Sequence, residues 1–375
     1  MHISKLAIHN VRNISQIEML PHAHCNIIVG ENGSGKSSIL EAIHLLGFGR
    51  SFRKSKTPEL IQFNQTNLTV FADCFTEKQQ ADDYEQNIKF GLSKNQSGDS
   101  EVRIQGKKAA RLSELSSQFP IVAFTCDSFD LVDGSPSIRR KFLDWLVFHV
   151  KHQQNVSSIY RDYARVLEQR NSALRRGLVE QIRSWDNSFI QLNKQIQQLR
   201  QQAVDWLNKE IYQYQSLLTK ENFTDGDSLQ CIQLEYKPGW NQQFDLAELL
   251  TKNLQTDLKR KTTGVGVHRD ELILKYKEQP IRNILSRGEC KRYVLALMFA
   301  AEEVIKKQTD KNCIWIVDDI AAELDLTSIK AAFSTNKNNQ NQMFFTCIEK
   351  DLALIQQVIE YEHAVFHVKH GKLIN

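Results

Sequence analysis

One stretch near the start of the chain, Gly30–Ser38 (GENGSGKSS), constrains the fold more than any other feature. It fits G-x-x-x-x-G-K-S, a loop that cradles phosphate between a strand and a helix. Both flanks are present: Asn26–Val29 is an apolar run of strand length, and Ser38–Leu46 carries apolar residues at helical spacing. Gly30, Gly33 and Gly35 let backbone N–H groups crowd around phosphate oxygens where side chains would block them. Glu31, Asn32, Ser34 and Ser38 complete the loop, and the helix N-terminus adds partial positive charge. Lys36 is placed to reach the β- and γ-phosphates, and the Ser37 hydroxyl to hold Mg²⁺. ATP and Mg²⁺ are the expected ligands.

Three later stretches narrow the class: Leu285–Glu289 (LSRGE), Cys313–Asp319 (CIWIVDD) and Glu323–Asp325 (ELD). Cys313–Val317 reads as a buried parallel strand ending in two carboxylates. Asp318 there can join Ser37 in holding the metal, and Asp319 can hold the attacking water. With Lys36 they form the candidate catalytic set, because positioning and charge carry most of phosphoryl transfer. Two acidic residues after a strand can also be plain loop. Ser286 and Gly288 open a predicted amphipathic helix, Glu289–Lys307, with Tyr293, Leu295, Leu297, Met298 and Ala301 as its buried positions. Such a start is an anion site, although a plain N-cap is the commoner use of a lone serine. Ser286 lies 32 residues before Asp318, with a helix and a strand between them. That order resembles the signature loop of ABC ATPases, where the serine of one subunit touches the γ-phosphate held by the other. Glu323-Leu324-Asp325 falls where that superfamily places its D-loop. The expected fold is α/β, an ABC-type P-loop ATPase head that dimerises around ATP.

The prolines stand at 21, 58, 120, 136, 238 and 280, leaving 137–237 without one. Within that region Phe189, Leu192, Ile196, Leu199, Ala203 and Trp206 recur at the spacing of packed helices. The head is therefore read as split in sequence: residues 1–126, an inserted helical lobe at 127–222, and residues 223–375. Ser137–Lys220 holds 14 Lys/Arg against 7 Asp/Glu in a chain of net charge +4. That excess favours nucleic-acid phosphates, or is a solvated helix face. Arg139, Arg140, Arg175 and Arg176 are candidate DNA contacts, and Arg139 and Arg140 could equally be ion pairs anchoring the lobe. The polar segment 76–100 reads as strands joined by an exposed loop. Seven scattered cysteines without a C-x-x-C pair argue for reduced thiols and against disulfides or structural zinc. The histidines show no ligand spacing, and His268 reads as structural. With no signal-peptide pattern and no apolar run long enough to span a membrane, a cytoplasmic location is expected.

Cys126–Asp144 (CDSFDLVDGSPSIRRKFLD) and Thr262–Glu271 (TTGVGVHRDE) carry a closer likeness. With KLAIHNVRNI near the start, EAIHLLGFGRSFR after the phosphate loop and FHVKHGKL at the end, they resemble the RecF family of bacterial recombination mediators. The resemblance runs from about Ile3 to Lys372 and is weakest between Val150 and Asn222. SPSIRRKFLDW and GRSFR are specific to that family rather than to ABC proteins at large. The resemblance implies an ATP-dependent DNA-binding protein of recombinational repair and replication-fork maintenance. It would bind single-stranded and gapped DNA, promote recombinase loading and SOS induction, and work with RecR- and RecO-type partners. ATP would close a homodimer clamp, with weak, DNA-stimulated hydrolysis.

The chain also departs from the pattern. Val267 stands where the family usually has proline, and Glu289 replaces the commoner glutamine. Asp319 replaces the usual ABC glutamate and is one methylene shorter, which favours slow turnover. No switch histidine follows Met343–Thr346; Thr346 is the candidate substitute, and no Q-loop glutamine can be placed. Two other classes compete. An ABC transporter subunit should usually carry the switch histidine, and a small-molecule P-loop kinase leaves LSRGE unexplained.

Overall fold

The computed structural model describes residues 1–76, 86–151, 155–217, 232–276, 278–339 and 341–374. The two ends of the chain meet in one six-stranded sheet. Its order is Lys372–Ile374, His363–Lys369, Cys25–Val29, Gln342–Cys347, Ile314–Val317, Ile121–Phe124, and all but the first run parallel. Cys25–Val29, Gln342–Cys347 and Ile314–Val317 are buried at every position. Both faces are covered, so these strands read as unbroken apolar runs rather than alternating ones. Side chains still alternate: Ile28, Ile314, Ile316 and Phe344 enter one core, Ile27, Trp315, Val317 and Phe345 the other.

The Lys36–Phe48 helix packs in the first core against an antiparallel sheet. That sheet runs Ile14–Met19, His2–Val11, Asn67–Thr76, Gln86–Asn95, Ser100–Ile104, Lys107–Lys108. The helix ends at Gly49, φ +64°, where a Cβ would strike the Leu112 side chain at 2.0 Å. Of the strands expected in 76–100, Gln86–Asn95 pairs with Ser100–Ile104; positions 77–85 of the expected loop lie outside the described residues.

In the second core lies the Arg287–Thr309 helix. Its predicted buried positions are buried, but Val294, Ala296, Phe299 and Ala300 between them are buried too. The helix is not amphipathic over that span, because the sheet covers one side and the helices Pro136–Lys151 and Val179–Glu210 the other.

Val156–Arg176 and Val179–Glu210 form an antiparallel hairpin closed at Gly177, whose φ of +71° makes it the left-handed cap. Leu246–Arg260 packs across it: Leu246 and Leu250 meet Tyr163, Val166 and Phe189, and Leu254 and Leu258 meet Ala173, Leu174 and Ile182. Chain beyond residue 222 therefore contributes a helix to the lobe. The inner line of the long helix runs Phe189, Asn193, Ile196, Arg200, Ala203, Leu207, with Leu192, Leu199 and Trp206 only half-buried.

Two polar residues on that line join lobe to head. Asn193 Nδ2 donates to the Phe189 carbonyl (2.6 Å), and its Oδ1 accepts the Val267 N–H (2.7 Å). A proline at 267 would lack that N–H, so the departure from the family pattern has a partner in Asn193. Arg200 donates to both Asp144 oxygens (2.8 and 3.0 Å), the Val267 carbonyl (2.7 Å) and Asp270 Oδ2 (2.8 Å). Asp270 also accepts from Tyr236 Oη and the Gly239 N–H (2.7 Å). A guanidinium buried this deeply is tolerable only when paired in this way. Arg139 grips Glu271 with two bonds (2.8 and 2.9 Å) and Arg140 donates to the Asp270 carbonyl (2.7 Å). Of the two uses open to these arginines, the geometry gives anchoring. His268 sits between Tyr163 Oη (2.8 Å) and the Thr263 carbonyl (2.9 Å). Burial pushes its pKa down to about 4, so it is a neutral structural group at pH 7.

Candidate functional site

The phosphate loop leaves the Cys25–Val29 strand at Gly30, where a Cβ would lie 2.3 Å from the Val368 carbonyl oxygen. Gly33 and Gly35 have φ of +78° and +115°, a region glycine enters without strain. Gly35 is also the N-cap, so the helix begins at Lys36 rather than at Ser38. Asn13, from the turn between the first two strands, fastens the loop. Its Nδ2 donates to the Gly33 carbonyl (3.0 Å), and its Oδ1 accepts the Ser38 hydroxyl (3.1 Å). Ser34 gives its carbonyl to the Gly371 N–H at 2.7 Å. Lys36 Nζ folds onto the Gly30 and Glu31 carbonyls (2.6 and 2.9 Å). Burial lowers its pKa, against the pull of the Asp319 and Asp318 charges.

The acidic strand end faces this loop. Asp318 Oδ1 accepts the Ser37 hydroxyl (2.7 Å) and the Thr346 hydroxyl (3.0 Å), and Oδ2 pairs with Arg53 at 3.0 Å. Thr346 Oγ1 in turn accepts the Asp319 N–H (2.7 Å) and so holds that backbone at φ +54°, a left-handed conformation that stores strain. Burial, then the neighbouring Asp318 charge, raises the Asp319 pKa. Asn32, Gly33, Gly35, Lys36, Ser37, Ser38, Asp318, Asp319 and Thr346 line one cavity of about 580 Å³, with Arg12, Asn13, Arg53, Cys126 and Glu323 completing the wall. A serine hydroxyl and a carboxylate oxygen at hydrogen-bond distance are the hard donors Mg²⁺ prefers, so the residues fit that ion beside phosphate.

Ser286 and Gly288 are absent from this wall. Both are exposed at the start of the Arg287–Thr309 helix, where Ser286 and Glu289 form a reciprocal cap. The Ser286 N–H donates to Glu289 Oε2 (2.7 Å) and the Glu289 N–H to Ser286 Oγ (3.4 Å). One turn on, Lys291 pairs with Glu323 (2.9 Å) and Arg292 with Asp325 (3.7 Å), tying the ELD stretch to this helix. Sequence reasoning missed Asn13 and Arg53. Both lie within quoted stretches, NVRN and GRSFR, but in a turn and a loop that no periodicity marks.

The family model for the RecF/RecN/SMC N terminal domain matches residues 2–372. The DNA replication and repair protein RecF of Shewanella halifaxensis is 35% identical over 372 residues, covering 99% of this chain and 97% of that protein. The chain belongs to the RecF family. Another relative of that name, from Cellvibrio japonicus, is 33% identical over 377 residues, covering 100% of this chain and 99% of that one. Among solved structures, the recombination mediator RecF with ATP, from the RecFOR pathway, has a TM-score of 0.82 at 24% identity over 100% of this chain and 97% of that one. An Smc head bound to the C-winged helix domain of ScpA has a TM-score of 0.56 at 17% identity, covering 100% and 97%. These likenesses show the fold, the ABC-type ATPase head of RecF and SMC proteins. The transporter and kinase readings fall with RecF-family membership.

Proposed function

We propose that this RecF-family chain is an ATP-switched DNA-binding protein of replication and recombinational repair, in which ATP draws two copies together. Its main support is geometric. The phosphate loop, Asp318 and Asp319 share one cavity, while Ser286 and Gly288 stand exposed outside it. A second copy is what can bring a signature serine to the phosphates. The relatives' names support the repair and replication role. The RecFOR pathway of the solved neighbour supports RecO- and RecR-type partners; binding of single-stranded or gapped DNA, recombinase loading and a link to SOS induction belong to the reading proposed here. No helix among the described residues is long and apolar enough to cross a membrane.

In this reading loop N–H groups and Lys36 hold the phosphates, and Ser37 with Asp318 would hold Mg²⁺, whose charge neutralises phosphate oxygens. Thr346 keeps Asp318 aimed, in place of a switch histidine. Asp319 accepts a proton from the attacking water; its raised pKa suits a base, while its short side chain keeps turnover slow. Asp319→Asn should bind Mg²⁺ and ATP normally but lose hydrolysis by about 100-fold or more. Asp318→Asn should instead weaken Mg²⁺-dependent binding. Turnover and equilibrium binding measured side by side decide this; wild-type hydrolysis by Asp319→Asn would move the base elsewhere.

The lobe tip is the proposed DNA surface. Arg175 and Arg176 are exposed at the hairpin end, and so are Arg183, Lys259, Arg260 and Lys261. Leu258 on Ala173, Leu174 and Ile182, and Thr263 bonded twice to Asn171 (2.8 Å each), bring these segments together. No large exposed apolar side chain accompanies them among the described residues. A surface of charge alone suits a phosphate backbone better than a folded protein, which needs apolar anchors. Reversing Arg175, Arg176, Lys259 and Arg260 to glutamate should flatten the salt dependence of duplex binding, by about 0.9 in log–log slope for each phosphate no longer neutralised. Titrations at several salt concentrations read the slope. An unchanged slope would place the DNA surface off the tip.

A further inference from the structure

A third sheet, small and antiparallel, runs Gln279–Pro280, Glu271–Tyr276, Ile232–Lys237. The fold treats its two sides differently. On the Ile232–Lys237 strand, Leu234 gives both backbone groups to Asn208: its N–H donates to Oδ1 (2.9 Å) and its carbonyl accepts Nδ2 (2.8 Å). A side chain closes that edge.

The backbone of Leu234 therefore faces away from the central strand, and that of its register partner Leu274 faces away on the opposite side. Leu272, two residues back, faces the same way; its N–H donates to Glu271 Oε1 (2.9 Å) instead of entering the ladder. Pairing on this side stops early, because Gln279 and Pro280 meet only Tyr276 and Lys275. Ile281 then enters a short helical turn, Ile281–Asn283, and its carbonyl accepts the Ile284 and Leu285 N–H groups (3.0 and 2.9 Å). Among the described residues the Leu272 carbonyl and the Leu274 N–H are left without a partner.

These two groups face a cavity of about 210 Å³. Glu271, Leu272, Ile273 and Leu274 all line it, although their side chains alternate between two faces, so the cavity lies along the edge of the strand. Leu131, Val132 and Ile281, all buried, give it an apolar wall. The charges of Arg139 and Glu271 in that wall are already matched to each other. Arg282 also lines it, is exposed, and makes no ion pair among the described residues.

We propose that this edge receives an extended segment of a partner protein, which joins the sheet as a further strand. Unpaired strand groups fit a strand, not a helix or a nucleic acid. One residue of a parallel strand satisfies both, its N–H donating to the Leu272 carbonyl and its carbonyl accepting the Leu274 N–H. The apolar wall accepts a Val, Ile or Leu side chain, and the free guanidinium of Arg282 selects a segment with a carboxylate beside it. No residue of the phosphate cavity lines this one, so the proposal stands apart from the ATP reading.

The probe is a panel of labelled hexapeptides, acetylated and amidated, with Val, Ile or Leu at alternate positions and Asp or Glu at one end. They are titrated against the full chain, and at least one should bind. Arg282→Glu, at an exposed position, should weaken that binding by about fivefold. Methylating the peptide nitrogens one at a time keeps every side chain in place. One position should lose about tenfold, because a single N–H meets the Leu272 carbonyl, and its neighbours should stay within about twofold. Hydrogen exchange reads the protein side. In the free chain the Leu274 amide should exchange about tenfold or more faster than those of Ile273 and Lys275, which are bonded into the ladder, and the peptide should slow it. Absence of any binder overturns the proposal, as does binding unchanged by Arg282→Glu or by every methylation. So does a Leu274 amide as protected as Ile273 in the free chain. Leu274 protection that rises with protein concentration alone would give the edge to a second copy, and would equally overturn the partner strand.

Discussion

Lys36→Met is expected to abolish ATP binding while the head stays folded. The ammonium is nearly buried and reaches the Gly30 and Glu31 carbonyls at 2.6 and 2.9 Å, across the mouth of the loop. Burial lowers its pKa, so the protein carries this charge at a cost that Asp319 and Asp318 partly offset. Phosphate oxygens would offset the rest. Charge-assisted bonds to phosphate contribute about 3 kcal/mol, so their loss should weaken ATP by on the order of 100-fold or more. Stability should hardly change. The helix is capped by Gly35 rather than by Lys36, and Ile39, Leu40, Ile43 and Leu46 pin it in the first core. Methionine keeps the length, the Glu31 carbonyl still accepts the Ser34 N–H (3.2 Å), and neither Gly30 nor Glu31 is fully buried. Thermal unfolding alongside ATP titration checks both halves. Tight ATP binding by a folded Lys36→Met protein would defeat the loop assignment.

What could be read in advance follows from how local each signal is. The phosphate loop, the strand entering it and the two carboxylates after Ile314–Val317 are contiguous, and each implies its own backbone geometry. They meet as expected, with Ser37 bonded to Asp318. The cap at Ser286 is equally local, because Glu289 stands three residues on. Asn13 and Arg53 were not legible as site residues. Each reaches the cavity from a turn or loop whose position is set by partners far along the chain, such as Gly33 for Asn13 or Asp318 for Arg53. Periodicity misled in two places. Between Arg292 and Glu302 the Arg287–Thr309 helix is buried at every position, so no apolar stripe distinguishes an inner face there. In the long lobe helix, Asn193 and Arg200 occupy inner positions that a hydrophobic count assigns to solvent; only the distant Val267, Asp144 and Asp270 explain them.

Ser286→Arg should bind ATP nearly normally, stay monomeric and hydrolyse poorly. Ser286 touches no part of its own nucleotide cavity, so its loss leaves that wall intact. Removing the cap costs about 1 kcal/mol, too little to unfold a domain of ordinary stability. Nothing lies within 4 Å of a Cβ built at Gly288, so the start of this helix has room for whatever approaches. In the proposed dimer that is the partner's γ-phosphate, and an arginine there fills the space closure needs. The pairs Lys291–Glu323 and Arg292–Asp325 tie this helix to the segment that carries Glu323, a residue of the cavity wall. Sedimentation with and without ATP reads the single variant, and dimerisation as ready as wild type would defeat the two-copy model. Mixing sharpens the test. A pair of one Ser286→Arg chain and one Lys36→Met chain holds one composite site with an intact loop facing an intact signature. Neither variant should dimerise alone, yet the mixture should recover part of the ATP-dependent pairing. A mixture that stays monomeric beside a dimerising wild type would mean that loop and signature do not meet across two copies.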